Sequence, residues 1–398
     1  MAPPLLAGIR VIDATAVVLG PYASQILADM GADVIKVEPP DGDMLRHVHP
    51  MRSPAMGATF LTANRNKRSL ALNLKAPGAH AALLRLVVGA DVFLHNMRLA
   101  AVEQLGLTYA QLRQANERLV YCAAWGFGQD GPYAGQPAYD DVIQALSGAA
   151  DLETRMHGEP GYMPSLIADK VTGLTAAYAV AMALFARERS GRGCAIEVPM
   201  LETMTSFFLT EHLAGATYTE DGGRPGYRRQ LVPRGPYRTA DGYIAALPYS
   251  RQNWASFFEA IGRPELAADP RVTDDQRRSH AVAELYAILA EILPTRPSEE
   301  WLALFRRLDI PAARMNTLET VFDDPHLAAV GFFQHMRHPS EGAIRMPGIP
   351  VRVDGEQGQV RRPAPRLGQH TREVLREAGL ASAEIDALCR SGAALDGA

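Results

Sequence analysis

The first third of the chain alternates short apolar runs with stretches of helical spacing. Ile9 to Asp13 predicts a strand, Pro21 to Met30 a helix opened by proline and closed by Gly31, and Asp33 to Val37 a second strand. The unit recurs as a strand over Leu70 to Leu74, a helix over Ala79 to Val88, a strand over Val92 to Asn96, a helical stretch over Gln111 to Asn116 and a strand over Leu119 to Trp125. Such alternation predicts an α/β fold with a parallel sheet and helices on both faces. Helices over Leu166 to Glu188 and Pro199 to Leu213 flank a further strand, Ala195 to Val198. The uncharged apolar run Val171 to Ala186, bounded by Lys170 and Arg187, is shorter than the ~20 residues that cross a bilayer, so a buried helix is expected there and no membrane span.

The texture changes over Thr219 to Pro236, where glycine, proline and Arg224, Arg228, Arg229 and Arg234, with Arg238 just beyond, replace the apolar periodicity. Beyond it, Tyr237 to Leu247 predicts a hairpin turning at Asp241-Gly242, and Trp254 to Ile261, Ala281 to Leu293 and Glu299 to Leu308 predict helices. Phe332 to Val353 carries short strands between glycines and prolines, and Thr371 to Arg390 reads as two helices separated at Gly379. The expected organisation is a large domain over 1–213, a linker or substrate loop over 214–236, a smaller α+β domain over 237–330, and a return that completes the large domain over 331–398. A length of 398 residues, against ~150 per domain, agrees with two or three lobes.

Composition narrows the partners. Apolar residues make up 47% and charged residues 21%, a globular balance, and 40 Lys and Arg against 44 Asp and Glu give a formal charge of −4. A nucleic-acid partner is not expected without a basic field. Cys122, Cys194 and Cys389 are far apart and lack C-x-x-C spacing, so neither a disulfide framework nor a zinc site is expected. With no basic leader followed by a long apolar stretch at the N-terminus, a cytoplasmic location is expected. Gly126-Phe-Gly128-Gln-Asp-Gly131 has the dinucleotide spacing after a strand, but Pro132, Gly135 and Pro137 keep the next residues in turns where that site needs a helix N-terminus.

Several blocks in order resemble class III coenzyme A transferases, the formyl-CoA and carnitine CoA-transferase family. They are Leu6 to Asp13, Gly20 to Ala23, Leu27 to Glu38, Gly42 to Arg46, Asn64 to Leu70, Gly126 to Tyr133, Pro137 to Gly148, Ala168 to Gly173 and Leu367 to Leu375. The resemblance implies a Rossmann-like large domain, a small domain and an interlocked, ring-like homodimer. It implies an enzyme that moves CoA from an acyl-CoA to a small carboxylic acid, with no metal and no permanently bound cofactor.

The same resemblance puts the nucleophile at Asp169. From the residues alone, an Asp just before a long apolar helix is a cap or first-turn residue. As a nucleophile with an ordinary carboxylate pKa of ~3.9, it would be ionised at neutral pH. CoA contacts are implied at Val17, Val18 and Leu19, at Leu72, Asn73, Leu74 and Lys75, at Asn96, Met97 and Arg98, at Gln104, and at Ala138, Tyr139 and Asp140. Lys75 and Arg98 are the expected phosphate partners, with an ordinary solvated charge as the other reading of each. Pro39 and Gln104 stand where some members carry arginine; the Asn64 to Arg68 cluster compensates for that or is a surface turn. The family's glycine-rich loop has no clear counterpart, and Gly222, Gly223 and Gly235 are the nearest candidates. The arginines of the 219–238 segment either bind a second carboxylate, as on a dicarboxylate such as succinate, or are solvated.

Two other functions are open. α-Methylacyl-CoA racemases pair an aspartate with a histidine, but the matching position here is Tyr139, a poor base at neutral pH, with His157 the only nearby spare. A non-catalytic CoA-binding subunit is the second, and the presence of Asp169 argues against it.

Overall fold

In the computed structural model, which describes residues 4–220, 222–226 and 235–397, the sheet is built from strands that, except at one edge, are buried on both faces. Strands β1 (Arg10–Ala14), β2 (Asp33–Glu38), β3 (Lys67–Leu72), β4 (Val92–His95), β5 (Val120–Trp125) and β6 (Ala195–Pro199) run parallel in the order β3-β2-β1-β4-β5-β6, and Ala394–Leu395 pairs antiparallel on the β3 edge. Successive side chains in a strand point to opposite faces. Val11, Val34, Val92, Leu94, Val120 and Cys122 therefore pack on one side with the helices Leu19–Asp29 and Ile167–Ser190. Ile12, Ile35, Phe93, Tyr121 and Ala123 pack on the other with Ala79–Val88, Tyr109–Ala115 and the C-terminal helices Thr371–Glu377 and Ser382–Arg390. Burial on both faces explains why these strands read as near-continuous apolar runs.

Strand β3 starts at Lys67, three residues before the expected Leu70. Charge hid it. The segment Asn64 to Arg68 is buried, so it is neither a surface turn nor a stand-in for the missing arginines. Lys67 Nζ lies 3.0 Å from Asp13 Oδ2 and donates to Asn64 Oδ1, while Arg68 pairs with Asp33 at 2.6 Å and Arg65 with Asp29 at 2.7 Å. Buried charges survive only when paired and hydrogen-bonded in this way.

The helix Ile167–Ser190 corrects a second expectation. Ala168, Thr172, Gly173, Ala176, Val180 and Leu184 are buried, but Leu174, Tyr178, Met182 and Phe185 form an exposed stripe, with 49 to 66% of each residue accessible. An unbroken apolar run cannot reveal by periodicity that only one face is covered. Arg187 is itself buried and pairs with Asp91 at 2.9 Å, so the charge at that end does not mark where burial stops. The helix is long and apolar enough to cross a membrane by length and composition, and half of its apolar window is buried in the protein. A Cβ on Gly173 would stand 2.7 Å from the Leu19 carbonyl oxygen, which is why the two helices can touch there.

The chain divides into two units, one of Met1–Glu153, Pro160–Phe208 and Leu327–Ala398, the other of Thr154–Glu159 and Leu209–His326. In the second, Tyr237–Arg238 and Tyr243–Ala246 form an antiparallel hairpin joined by Ala312–Arg314. Its core holds Trp254, Phe257, Phe258, Tyr286, Trp301 and Phe305 from the helices Arg251–Ala260, Val282–Ile292 and Ser298–Arg307. Asp241, at the hairpin turn, accepts from the Ser298 N–H at 2.7 Å and so caps the third helix.

Candidate active site

Between β1 and β4 the strand order reverses: β1 leads outward to β2 and β3, and β4 leads the other way to β5 and β6. Connections leaving the carboxyl ends of these neighbours diverge, which opens a crevice where doubly wound sheets bind ligands. A cavity of about 900 Å³ lies there. Ten of the expected contacts line it: Val17, Leu72, Asn73, Leu74, Lys75, Asn96, Met97, Arg98, Ala138 and Tyr139. Lys75 and Arg98 are exposed on its wall and have no carboxylate partner among the described residues.

Four expected contacts lie outside the wall. Val18 is buried against Leu45, Phe60 and Ala364, and Leu19 packs with Phe127, Ile143 and Ala168. Both belong to the entry of the helix Leu19–Asp29, which starts two residues before Pro21 and turns them inward. Gln104 is exposed at the end of the short helix Leu99–Gln104, whose neighbour Leu105 reaches the cavity in its place. Asp140 is buried one residue behind Tyr139. Pro39 does line the cavity, with Val37, Glu38 and Asp41, as do Trp125 and Phe127 after β5. Sequence reasoning missed these neighbours, although the rule that ligands sit beyond the carboxyl ends of such strands points to them.

The loop after β1 is held from beneath. Val17 has a left-handed backbone, φ 68°, unusual for a β-branched residue. Its N–H donates to Asp43 Oδ1 at 3.2 Å, Asn96 exchanges two hydrogen bonds with the Ala16 backbone, and Lys36 donates to the Thr15 carbonyl while pairing with Asp43 at 2.8 Å. Asn96 thus shapes the crevice wall through its own amide.

Asp169 is the third residue of its helix and 8% exposed. Its backbone N–H donates to Asp140 Oδ2 at 2.9 Å. Burial, with the Asp140 carboxylate adding repulsion, pushes its carboxyl up to about 7, which corrects the expectation of an ordinary acid. Asp169 is not in the cavity wall; it connects to it through Asp140, next in sequence to the lining residue Tyr139. Tyr139 is 60% exposed. His157, Gly222, Gly223, Arg224, Gly235 and Arg238 belong to the second unit, and Arg228, Arg229 and Arg234 lie outside the described residues. Among the described residues no group of three or more His, Cys, Asp or Glu side chains is placed to hold a metal ion.

Fold and crevice together define a doubly wound α/β protein with an open crevice at its switch point. The family model of CoA-transferase family III matches residues 6–371, and the chain belongs to that family. A human succinyl-CoA:glutarate CoA-transferase is 31% identical over 376 residues, covering 94% of this chain and 85% of that protein. A formyl-CoA:oxalate CoA-transferase of Streptomyces avermitilis is 32% identical, covering 97% of this chain and 98% of the other. Among solved structures, a CAIB/BAIF family protein from Brucella suis superposes with a TM-score of 0.81 at 29% identity, over 95% of this chain and all of that one.

Proposed function

We propose that this CoA-transferase works through covalent intermediates on Asp169, with acyl-CoA seated in the crevice between β1 and β4. The observation that carries the reading is the buried Asp169 carboxylate beside Asp140, one residue behind the crevice wall. A carboxylate whose pKa is raised is a stronger base than an ordinary one and a better nucleophile once ionised. In the first step it attacks the thioester carbonyl and expels CoA thiolate, giving an acyl-aspartyl anhydride. The thiolate then attacks the aspartyl carbonyl, releases the donor acid and leaves an aspartyl-CoA thioester. The acceptor carboxylate attacks that thioester, and the thiolate expelled takes the acceptor acyl group from the new anhydride. Asp169 is regenerated, no proton is transferred and the thioester bond energy is conserved.

Lys75 and Arg98, exposed and without carboxylate partners among the described residues, fit the CoA phosphates. The two relatives are named for transfer between succinyl-CoA and glutarate and between formyl-CoA and oxalate, and a dicarboxylate is the proposed acid here. The exposed stripe of Leu174, Tyr178, Met182 and Phe185 supports a homodimer that covers it. Three cysteines without a disulfide suit a reducing cytoplasm. A panel of acyl-CoA donors and acid acceptors, with products read by mass on the chain alone, tests the reading; failure to exchange CoA with any dicarboxylate would refute the substrate class.

A further inference from the structure

Gln144 sits in the helix Asp140–Leu146 with no exposed surface. A buried amide left without partners costs about 1–3 kcal/mol per group, so its surroundings are informative. Nε2 donates to Asp140 Oδ1 at 2.6 Å and lies within 3.5 Å of the Met163 and Ser165 carbonyl oxygens. Oε1 accepts from the Met163 N–H at 2.9 Å. Every neighbour of the nitrogen is an acceptor and the neighbour of the oxygen is a donor, which fixes the amide in one orientation. The second oxygen of Asp140 accepts from the Asp169 N–H at 2.9 Å. One chain of hydrogen bonds therefore joins the loop at Met163, the helix of Gln144 and Asp140, and the first turn of the helix that carries Asp169.

We propose that Gln144 is a positioning residue for the transfer reaction, holding Asp140 and the Met163–Ser165 loop against the first turn of the Asp169 helix. The assignment rests on Asp169 being the nucleophile. Asp140 has two oxygens and two donors, one from Gln144 and one from Asp169, so loss of the amide frees the carboxylate to turn toward other partners and releases the turn it holds. A displacement of about 1 Å at a reacting group can cost ~10²-fold in rate without touching substrate binding. A role confined to stability would not divide kcat from KM in this way.

The test measures kcat and acyl-CoA KM on the full chain at pH 8.5, above the Asp169 value of about 7. Gln144→Leu is expected to lower kcat about 100-fold with KM within threefold. Should it fail to fold, Gln144→Asn keeps the amide one methylene too short and is expected to lose at least tenfold in kcat. A kcat within threefold of wild type for the folded variants, or a KM that rises as far as kcat falls, would overturn the role of Gln144. In parallel, hydroxylamine is added to the wild type with acyl-CoA. No adduct at Asp169 would overturn the nucleophile and the Gln144 role with it; an adduct in the wild type with kcat unchanged in the Gln144 variants would overturn Gln144 alone.

Discussion

Asp13 and Asp169 are both buried carboxylates of the same unit, yet their surroundings drive them in opposite directions. Burial alone would raise the Asp13 pKa, but the Lys67 and Lys36 ammonium groups and the Ser24 and Thr15 hydroxyls outweigh it and hold the acid below the usual carboxylate range. Asp169 meets the same burial with another carboxylate, Asp140, where Asp13 has cations, and rises to about 7. Asp13 is a tie inside the sheet, fully matched and chemically quiet. Asp169 is held at a cost in stability, and such unmatched charge is the signature of a group kept for chemistry.

The largest break in this comparison is catalytic. Asp169→Ala should lower kcat at least ~10³-fold, about 4 kcal/mol of barrier, with an unchanged circular dichroism spectrum; a variant keeping a few per cent of the rate would remove Asp169 from the mechanism. On the Asp13 side the loss is structural. Lys67→Met leaves Asp13 buried with one cation fewer, and denaturant unfolding should show a fall of ~3–5 kcal/mol.

The pH dependence is the next smaller effect. Only the ionised form of Asp169 attacks, so kcat should rise with pH through a midpoint near 7 and stand at about one-tenth of its plateau at pH 6. A profile flat between pH 5.5 and 8.5 would show that Asp169 titrates like an ordinary acid. Stability carries the opposite sign. Between its unfolded value of 3.8 and its folded value near 7, the unfolded chain ionises Asp169 while the folded chain keeps the proton, so this group loses stability for the protein as pH rises through that window. Asp169→Asn should therefore raise Tm by a few degrees at pH 8 and by less at pH 4.5, the reverse of Asp13→Asn, which should lower Tm at pH 8.

Much of the sheet was legible because its strands carry apolar residues on both faces, as Val11 with Ile12 and Val34 with Ile35 show. Strand β3 began too late in the sequence reading because Lys67 and Arg68 look like solvent residues until Asp13 and Asp33 are placed beside them. The apolar helix Ile167–Ser190 concealed its open face because it offers no polar side to contrast with the stripe at Leu174, Tyr178, Met182 and Phe185. In the crevice, residues at strand ends could be read from local pattern and resemblance. The environment of Asp169 could not, since Asp140 lies 29 positions away and meets it only through the packing of two helices.

The covalent role of Asp169 is tested most directly by incubating the protein with acyl-CoA in D₂O, adding hydroxylamine and reading both protein and acyl-CoA by mass. A hydroxamate at Asp169 with no deuterium on the acyl α-carbon is the expected result, since transfer activates the carboxyl group and leaves that carbon untouched. Rapid α-deuteration with no adduct on Asp169 would contradict it and assign the site to proton abstraction.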